Sequence, residues 1–456
     1  MNSPSKVSSD EIRARFSSAM SAMYRDEVPA YGTLMSLVAD VNAEVLDRDT
    51  TLAADLANTD QLDRISEERH GAIRLGTPEE LATMRRLFAV MGMFPVGYYD
   101  LSEAGVPVHS TAFRPVGEAA LRRNPFRVFT SLLRMDLIEE PALRDEAAQS
   151  LASRRIFTPK CMELIEKAEA EGGLSETDAA AFVAEALETF RWHSDARVSA
   201  DLYHRLHDAH RLIADVVSFK GPHINHLTPR TLDIDAVQDR MPDVGISPKA
   251  VVEGPPRRNC PILLRQTSFK ALQEAVRFPG ENAVEGSHTA RFGEIEARGI
   301  ALTPKGRALY DALLDNVRAR ITPAANGSNA DEYVRILGEV FTAFPDDWEE
   351  IRKQGLGYFE WSATGKPAKG TDPEALLAAG ALRCDPIIYE DFLPVSAAGI
   401  FQSNLGDGAV QEFSASPNQR MFEADLGTGV LDEFAHYAGI EQASLDASLK
   451  TLNEGK

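Results

Sequence analysis

A long helical tract lies between two strand-rich regions, and that arrangement limits the fold of this chain more than any other feature. From about residue 130 to 212 the sequence is charged and helical, with repeated Ala, Leu and Glu. Before it, RISEERHGAIRLG carries short strand-like alternations, and MFPVGYYDLSEAGVPVHSTAFRPV reads as a hairpin rich in Val, Tyr and Phe and broken by Gly and Pro. After it come further strand-like segments: IADVVSFKGPHINHLTPRTLDID, AVVEGPP, PILLRQTSF and HTARFGEIEARGIAL. Helical stretches fill the intervals. Ser9-Asp10-Glu11 opens one that runs to about Met23, residues 30–47 have apolar groups at helical spacing, and residues 303–345 are helical again. Thr77-Pro78-Glu79-Glu80 supplies a cap residue, a proline at the first helical position and two acids in the first turn of a helix reaching about Met91. Residues 365–371 read as a loop and PIIYEDFLPVSAAGIFQSN as another strand-like run. The expectation is an α+β fold in which one mixed sheet is decorated by helices. Residues 1–456 form a single catalytic domain on this reading, with 130–212 as a helical insertion and 1–9 as a flexible N-terminal arm.

With 44% hydrophobic and 26% charged residues, 456 residues are ample to bury a large core. The net charge of −21 argues against nucleic acid, whose phosphates require a basic face. It also means that an anionic substrate needs local arginines to offset the general repulsion. Cys161, Cys260 and Cys384 lie far apart with no CxxC pair, which excludes a disulfide framework and a thiolate zinc site. No apolar run reaches membrane-spanning length, and the polar N-terminal stretch lacks the apolar core of a signal peptide. A cytoplasmic protein with no membrane or nucleic-acid partner is expected, acting on a small molecule.

Ten histidines are available for chemistry. His207 and His210 are spaced to share a helix face, but a polar helix surface is the simpler reading of WHSDARVSADLYHRLHDAHRL. His223 and His226 in FKGPHINHLTPR follow a strand-like ADVVSF and sit between the stiff punctuation of Gly221-Pro222 and Thr228-Pro229. In an extended segment residues three apart face opposite ways, so only one of the two reaches a given cavity. His70 and Arg74 project from one face of an extended HGAIR, about 13 Å apart at ~3.3 Å per residue. A metal on His70 and the Arg74 guanidinium could therefore hold the two ends of a dicarboxylate, although an exposed edge-strand pair fits the same spacing. Glu294 and Glu296 share a face in RFGEIEARG, and an acid facing inward from an apolar strand generally has a cation. Two histidines and a carboxylate suit Fe(II) and leave positions open for an oxo acid and dioxygen. Spacing alone does not assemble residues 156 and 68 positions apart.

The blocks ERHGAIRLGTPEELATMRRLFAVMGMFPVGYYDL, VPVHSTAFRP, FKGPHINHLTPRTLDIDAVQ, VVEGPP, PILLRQTSFKALQE, GSHTARFGEIEARG and YEDFLPVSAAGIFQSN closely resemble those of the 2-oxoadipate dioxygenase/decarboxylase (hydroxyglutarate synthase) family. The resemblance runs from about residue 10 to about 410. It implies a vicinal-oxygen-chelate-like core, a curved mixed sheet enclosing a metal site. It also implies Fe(II) on His70, His226 and Glu294, with Arg74 on the distal end of the substrate and Val395 and Ser396 lining the pocket. The reaction it implies converts 2-oxoadipate and O2 to D-2-hydroxyglutarate and CO2 in lysine catabolism. Another vicinal-oxygen-chelate enzyme, an isomerase or a ring-cleaving dioxygenase, is the alternative with the same triad. A non-catalytic oxo-acid-binding protein is the alternative of another class.

Overall fold

The computed structural model describes residues 6–58, 62–67, 69–280, 284–324, 326–393 and 417–454. By its contacts the chain divides into two compact units. Unit one comprises Met1–Lys249, Thr267–Glu296 and Phe392–Val430; unit two comprises Ala250–Gln266, Ala297–Asp391 and Leu431–Lys456.

Unit one is built on a five-stranded mixed sheet of β1 (Arg69–Leu75), β2 (Phe94–Asp100), β3 (Val108–Arg114), β4 (Arg127–Leu133) and β5 (Leu227–Pro229), in the order β2-β3-β4-β1-β5. Every residue of β3 and β4 is buried, as expected of strands covered on both faces. β1 runs parallel to β4, pairing His70 with Arg127, and antiparallel to β5, pairing His70 with Thr228. A parallel neighbour needs a crossover, and the helix Pro78–Val90 begins it. Thr77 caps that helix as its sequence predicts, its hydroxyl accepting from Glu80 N at 3.2 Å with Pro78 in the first turn. The β2–β3 hairpin is also as expected. Its register shifts between Val96 and Tyr99, where Gly97 takes a φ of +72°, a left-handed value open to glycine.

Four helices, Pro141–Ala152, Pro159–Glu171, Glu176–Glu188 and Ala200–Ala209, occupy most of the tract expected to be helical. Leu143, Ala147 and Leu206 from two of them share a buried core with Ala72, Phe129 and Leu133 of the sheet. At ~1.5–3 kcal/mol for each large apolar side chain buried, this cluster is a main source of the unit's stability. Four further strands are β6 (Leu264–Ser268), β7 (Leu272–Phe278), β8 (Val284–Arg291) and β9 (Glu294–Arg298), with β7 and β8 paired antiparallel.

Unit two carries an antiparallel pair, β10 (Phe359–Ala363) with β11 (Leu382–Pro386). The helix Glu433–Glu454 lies along it: Phe359 N donates to Glu441 Oε1 at 2.8 Å and Trp361 N to Ser444 Oγ at 2.9 Å.

Several local readings are corrected. The segment Ala214–Phe219, strand-like in sequence, is mostly helix: Arg211–Ser218, with the His210 ring accepting from Leu212 N at 3.1 Å. Every residue from Leu212 to Ser218 is buried, so no polar face marks the period and the valines mimic a strand. β4 extends to Leu133, past the expected start of the helical tract at 130. AVVEGPP forms only an isolated bridge, Glu253 with Gln266. The single sheet becomes a five-stranded sheet and three separate two-stranded pairings among the described residues. Helices at 303–345 are interrupted between Arg320 and Ala330. Of the expected N-terminal arm, residues 1–5 lie outside the described residues, while Val7 N donates to Leu174 O at 2.9 Å.

Candidate metal centre

Three backbone segments of unit one converge on one point. β1 presents His70, the chain leading into β5 presents His226, and β9 opens with Glu294. Register holds them together: Asn225 N donates to Ala72 O at 3.0 Å, Phe292 N to Asn225 O at 3.1 Å, and Thr231 N to Glu296 O at 2.8 Å. The buried Tyr24 hydroxyl clips the second and third segments, donating to Asn225 O at 3.0 Å and Phe292 O at 2.8 Å. Gly71, beside His70, permits the close approach. A Cβ there would fall 2.8 Å from His226 O and 2.6 Å from Ile224 Cδ1.

His70, His226 and Glu294 are fully buried, and one ligand atom from each lies within 4.8 Å of the other two. The imidazoles meet edge to face, centroids 5.4 Å apart. His70 Nε2 is 3.2 Å from Glu294 Oε1, and the Thr228 hydroxyl donates to the same oxygen at 3.4 Å. Neither ring nitrogen of His226 has a hydrogen-bond partner among the described residues. An imidazole buried without a partner is costly, and a metal ion resolves that cost. The donor set of two nitrogens and one carboxylate oxygen therefore fits a divalent cation such as Fe(II).

Glu296, on the same face of β9 as Glu294, supports the other side of His70, its Oε2 being 3.0 Å from Nδ1. A proton on Nδ1, on the side of Glu296, would leave the Nε2 lone pair for the centre. Burial alone pushes the His70 pKa down, but Glu296 and Glu294 outweigh it and hold the ring above the ordinary value. Burial raises Glu294. Burial, together with the positive charge at His70 and Arg74, keeps His226 well below the imidazole range.

Arg74 follows on the His70 face of β1, its side chain 11% exposed. Its Nη1 donates to Asp215 Oδ2 at 2.6 Å. The other oxygen of Asp215 lies 2.8 Å from His288 Nε2 and 3.4 Å from His223 Nε2, and His288 Nδ1 lies 2.8 Å from the Tyr203 hydroxyl. Burial disfavours the Asp215 anion, but His223 and Arg74 outweigh it and lower its pKa well below the carboxylate range.

The triad expected from the resemblance is thus brought together. His223 sits with Asp215 rather than in the triad, and His210 caps a helix. Val395 and Ser396 lie outside the described residues. The sequence reading missed Asp215, His288 and Tyr203, and gave Glu296 no separate role. Only Glu296 carried a signal, its strand alternation with Glu294. Among the described residues no helix is long and apolar enough to cross a membrane.

A mixed sheet with a buried two-histidine, one-carboxylate group places the chain among proteins whose side chains could hold a metal ion. The sequence profile of the 2-oxoadipate dioxygenase/decarboxylase family matches residues 16–404. A 2-oxoadipate dioxygenase/decarboxylase of Pseudomonas putida is 59% identical, covering 98% of both chains. One from Escherichia coli is 57% identical, covering 96% of this chain and 98% of its own. The crystal structure of a P. putida hydroxyglutarate synthase in complex with 2-oxoadipate superposes with a TM-score of 0.92 at 58% identity, covering 99% of this chain and 100% of that one. The chain belongs to the 2-oxoadipate dioxygenase/decarboxylase family.

Proposed function

We propose that this protein is an Fe(II)-dependent enzyme that converts 2-oxoadipate and O2 to D-2-hydroxyglutarate and CO2. The observation that carries the reading is the buried triad of His70, His226 and Glu294 with Arg74 on the same strand face as His70. Atoms balance without a second organic substrate: a six-carbon oxo acid loses its carboxylate as CO2, and both atoms of dioxygen remain in the products.

When bound, the ferrous ion supplies open positions where a 2-oxo acid can chelate and dioxygen can be activated. His70, His226 and Glu294 hold it, and Glu296 fixes the orientation of the His70 ring. Arg74 binds the distal carboxylate of the substrate, its planar fork suiting two oxygens and offsetting the acidity of the molecule. Val395 and Ser396 are assigned to substrate binding. On this reading the strands around the centre form a vicinal-oxygen-chelate-like core, and the reaction serves lysine breakdown in the cytoplasm.

The test is anaerobic loading with Fe(II), addition of 2-oxoadipate, then admission of air. One O2 consumed and one CO2 released per D-2-hydroxyglutarate formed is the expected result. An isomerised product, or binding of the acid with no oxygen uptake, would refute it.

A further inference from the structure

Asp215 has no place in the reaction described above, yet its surroundings are those of a built polar site. It lies on the helix Arg211–Ser218, among Leu212, Ile213, Ala214, Val216 and Val217, all buried. An acid in that setting is expensive unless its charge is used. Both oxygens are engaged, one by Arg74 at 2.6 Å and the other by His288 at 2.8 Å. His288 is itself held by Tyr203 at 2.8 Å, and its ring lies parallel to that of Trp192, centroids 6.3 Å apart and planes within 7°. Residues from one strand and two helices therefore converge behind one guanidinium.

We infer that Asp215 is a positioning residue for Arg74, fixed through His288 and Tyr203, which sets the reach of the arginine toward the far carboxylate of a dicarboxylic 2-oxo acid. The inference rests on the reading of Arg74 as the distal grip. The physical argument is preorganisation. An arginine has many rotamers, and ordering it only when substrate arrives weakens binding. A carboxylate that grips Nη1, and cannot itself swing, aims the fork in advance. Misplacement by an ångström is enough to lose most of a directed contact. With its second oxygen held by His288, the acid keeps one orientation and presents the first to Arg74.

The experiment compares 2-oxoadipate with 2-oxohexanoate, an acid of the same chain length with an uncharged tail, in the Fe(II)-loaded full chain. For Asp215→Asn the expected result is iron content equal to wild type and a rise of about tenfold or more in KM for 2-oxoadipate, with kcat changed far less. Anaerobic calorimetry should show the same fall in affinity for 2-oxoadipate, and 2-oxohexanoate should change by no more than about twofold. In an Arg74→Ala background Asp215→Asn should add nothing, since the residue it aims is gone. Equal losses on both acids, additive effects with Arg74→Ala, or unchanged discrimination overturn the inference. A wild-type protein that does not discriminate between the acids removes the reading of Arg74 and the inference with it. If Asp215→Asn does not fold, Tyr203→Phe carries the test by removing one hydroxyl two contacts away. A loss of about two- to fivefold confined to 2-oxoadipate supports the inference, and an equal loss on both acids overturns it.

Discussion

His226 is buried with no hydrogen-bond partner for either ring nitrogen among the described residues, which marks it as a ligand and not a structural histidine, and that distinction can be tested. His226→Ala, His70→Ala and Glu294→Ala should each remove most bound iron and nearly all turnover. His223→Ala should leave iron content near wild type, because its ring sits at Asp215, 3.4 Å away, rather than in the triad. Metal analysis of the four proteins decides the matter, and equal iron loss in the His223 variant would show that the ligand was misassigned. Arg74 is expected to behave differently from all of them. Arg74→Ala should retain iron while kcat/KM for 2-oxoadipate falls by about one to two orders of magnitude. Arg74→Lys should recover only part, since an ammonium cannot match two oxygens with a fork. Iron loss in Arg74→Ala would mean that the arginine organises the centre instead of reading the substrate.

The β2–β3 hairpin has its own acid sensitivity. His109 on β3 is buried, its ring 4.7 Å from that of Phe422 in the helix Pro417–Leu426. Asn418 of that helix also donates to Asp100 Oδ2 at 2.7 Å. Burial, with the Arg134 charge nearby, pushes His109 from the ordinary 6.5 down to about 4. The unfolded chain takes up that proton more readily than the folded one. Stability from a neutral His109 is therefore fully present above pH 6.5 and is lost as pH falls toward about 4. The loss between neutrality and pH 5 is about 1–2 kcal/mol. In His109→Gln the dependence of the urea midpoint on pH over this interval should flatten. An unchanged slope would assign the acid sensitivity to other groups. At this scale the helix caps were also legible, because Thr77 with Pro78 and two following acids form a local pattern. The helix Arg211–Ser218 was not, since burial on all sides erases the polar face that distinguishes helix from strand.

For the molecule as a whole, grip at both ends of the substrate predicts selectivity for chain length. 2-Oxoadipate should exceed 2-oxoglutarate, one methylene shorter, by about one to two orders of magnitude in kcat/KM, because the shorter acid cannot reach Arg74 while chelated. Equal values for the two acids would contradict the two-ended geometry. Occupancy of the centre should also be felt in global stability. An ion that binds only the folded chain, at a hundred times its Kd, adds about 2.7 kcal/mol. Chelation of the metal should accordingly lower Tm in the wild type and leave Tm unchanged in Glu294→Ala.

The sequence by itself determined the α+β class, the capped helix after β1, the hairpin of β2 and β3, and the shared face of His70 and Arg74. Each of these rests on periodicity or on a cap spanning a few neighbouring residues. The triad was legible only through resemblance, because His70, His226 and Glu294 are separated by 156 and 68 positions and no local rule links them. Without that resemblance only tertiary structure separates His223 from His226, since both lie in one short segment and differ in what the fold sets opposite them. It also decided that Arg74 leans on Asp215. That acid sits in a run that reads as an ordinary buried strand, and its partners Arg74 and His288, with Tyr203 behind His288, come from three other elements. A charge pair across such distances in sequence exists only once the sheet and the helices have packed.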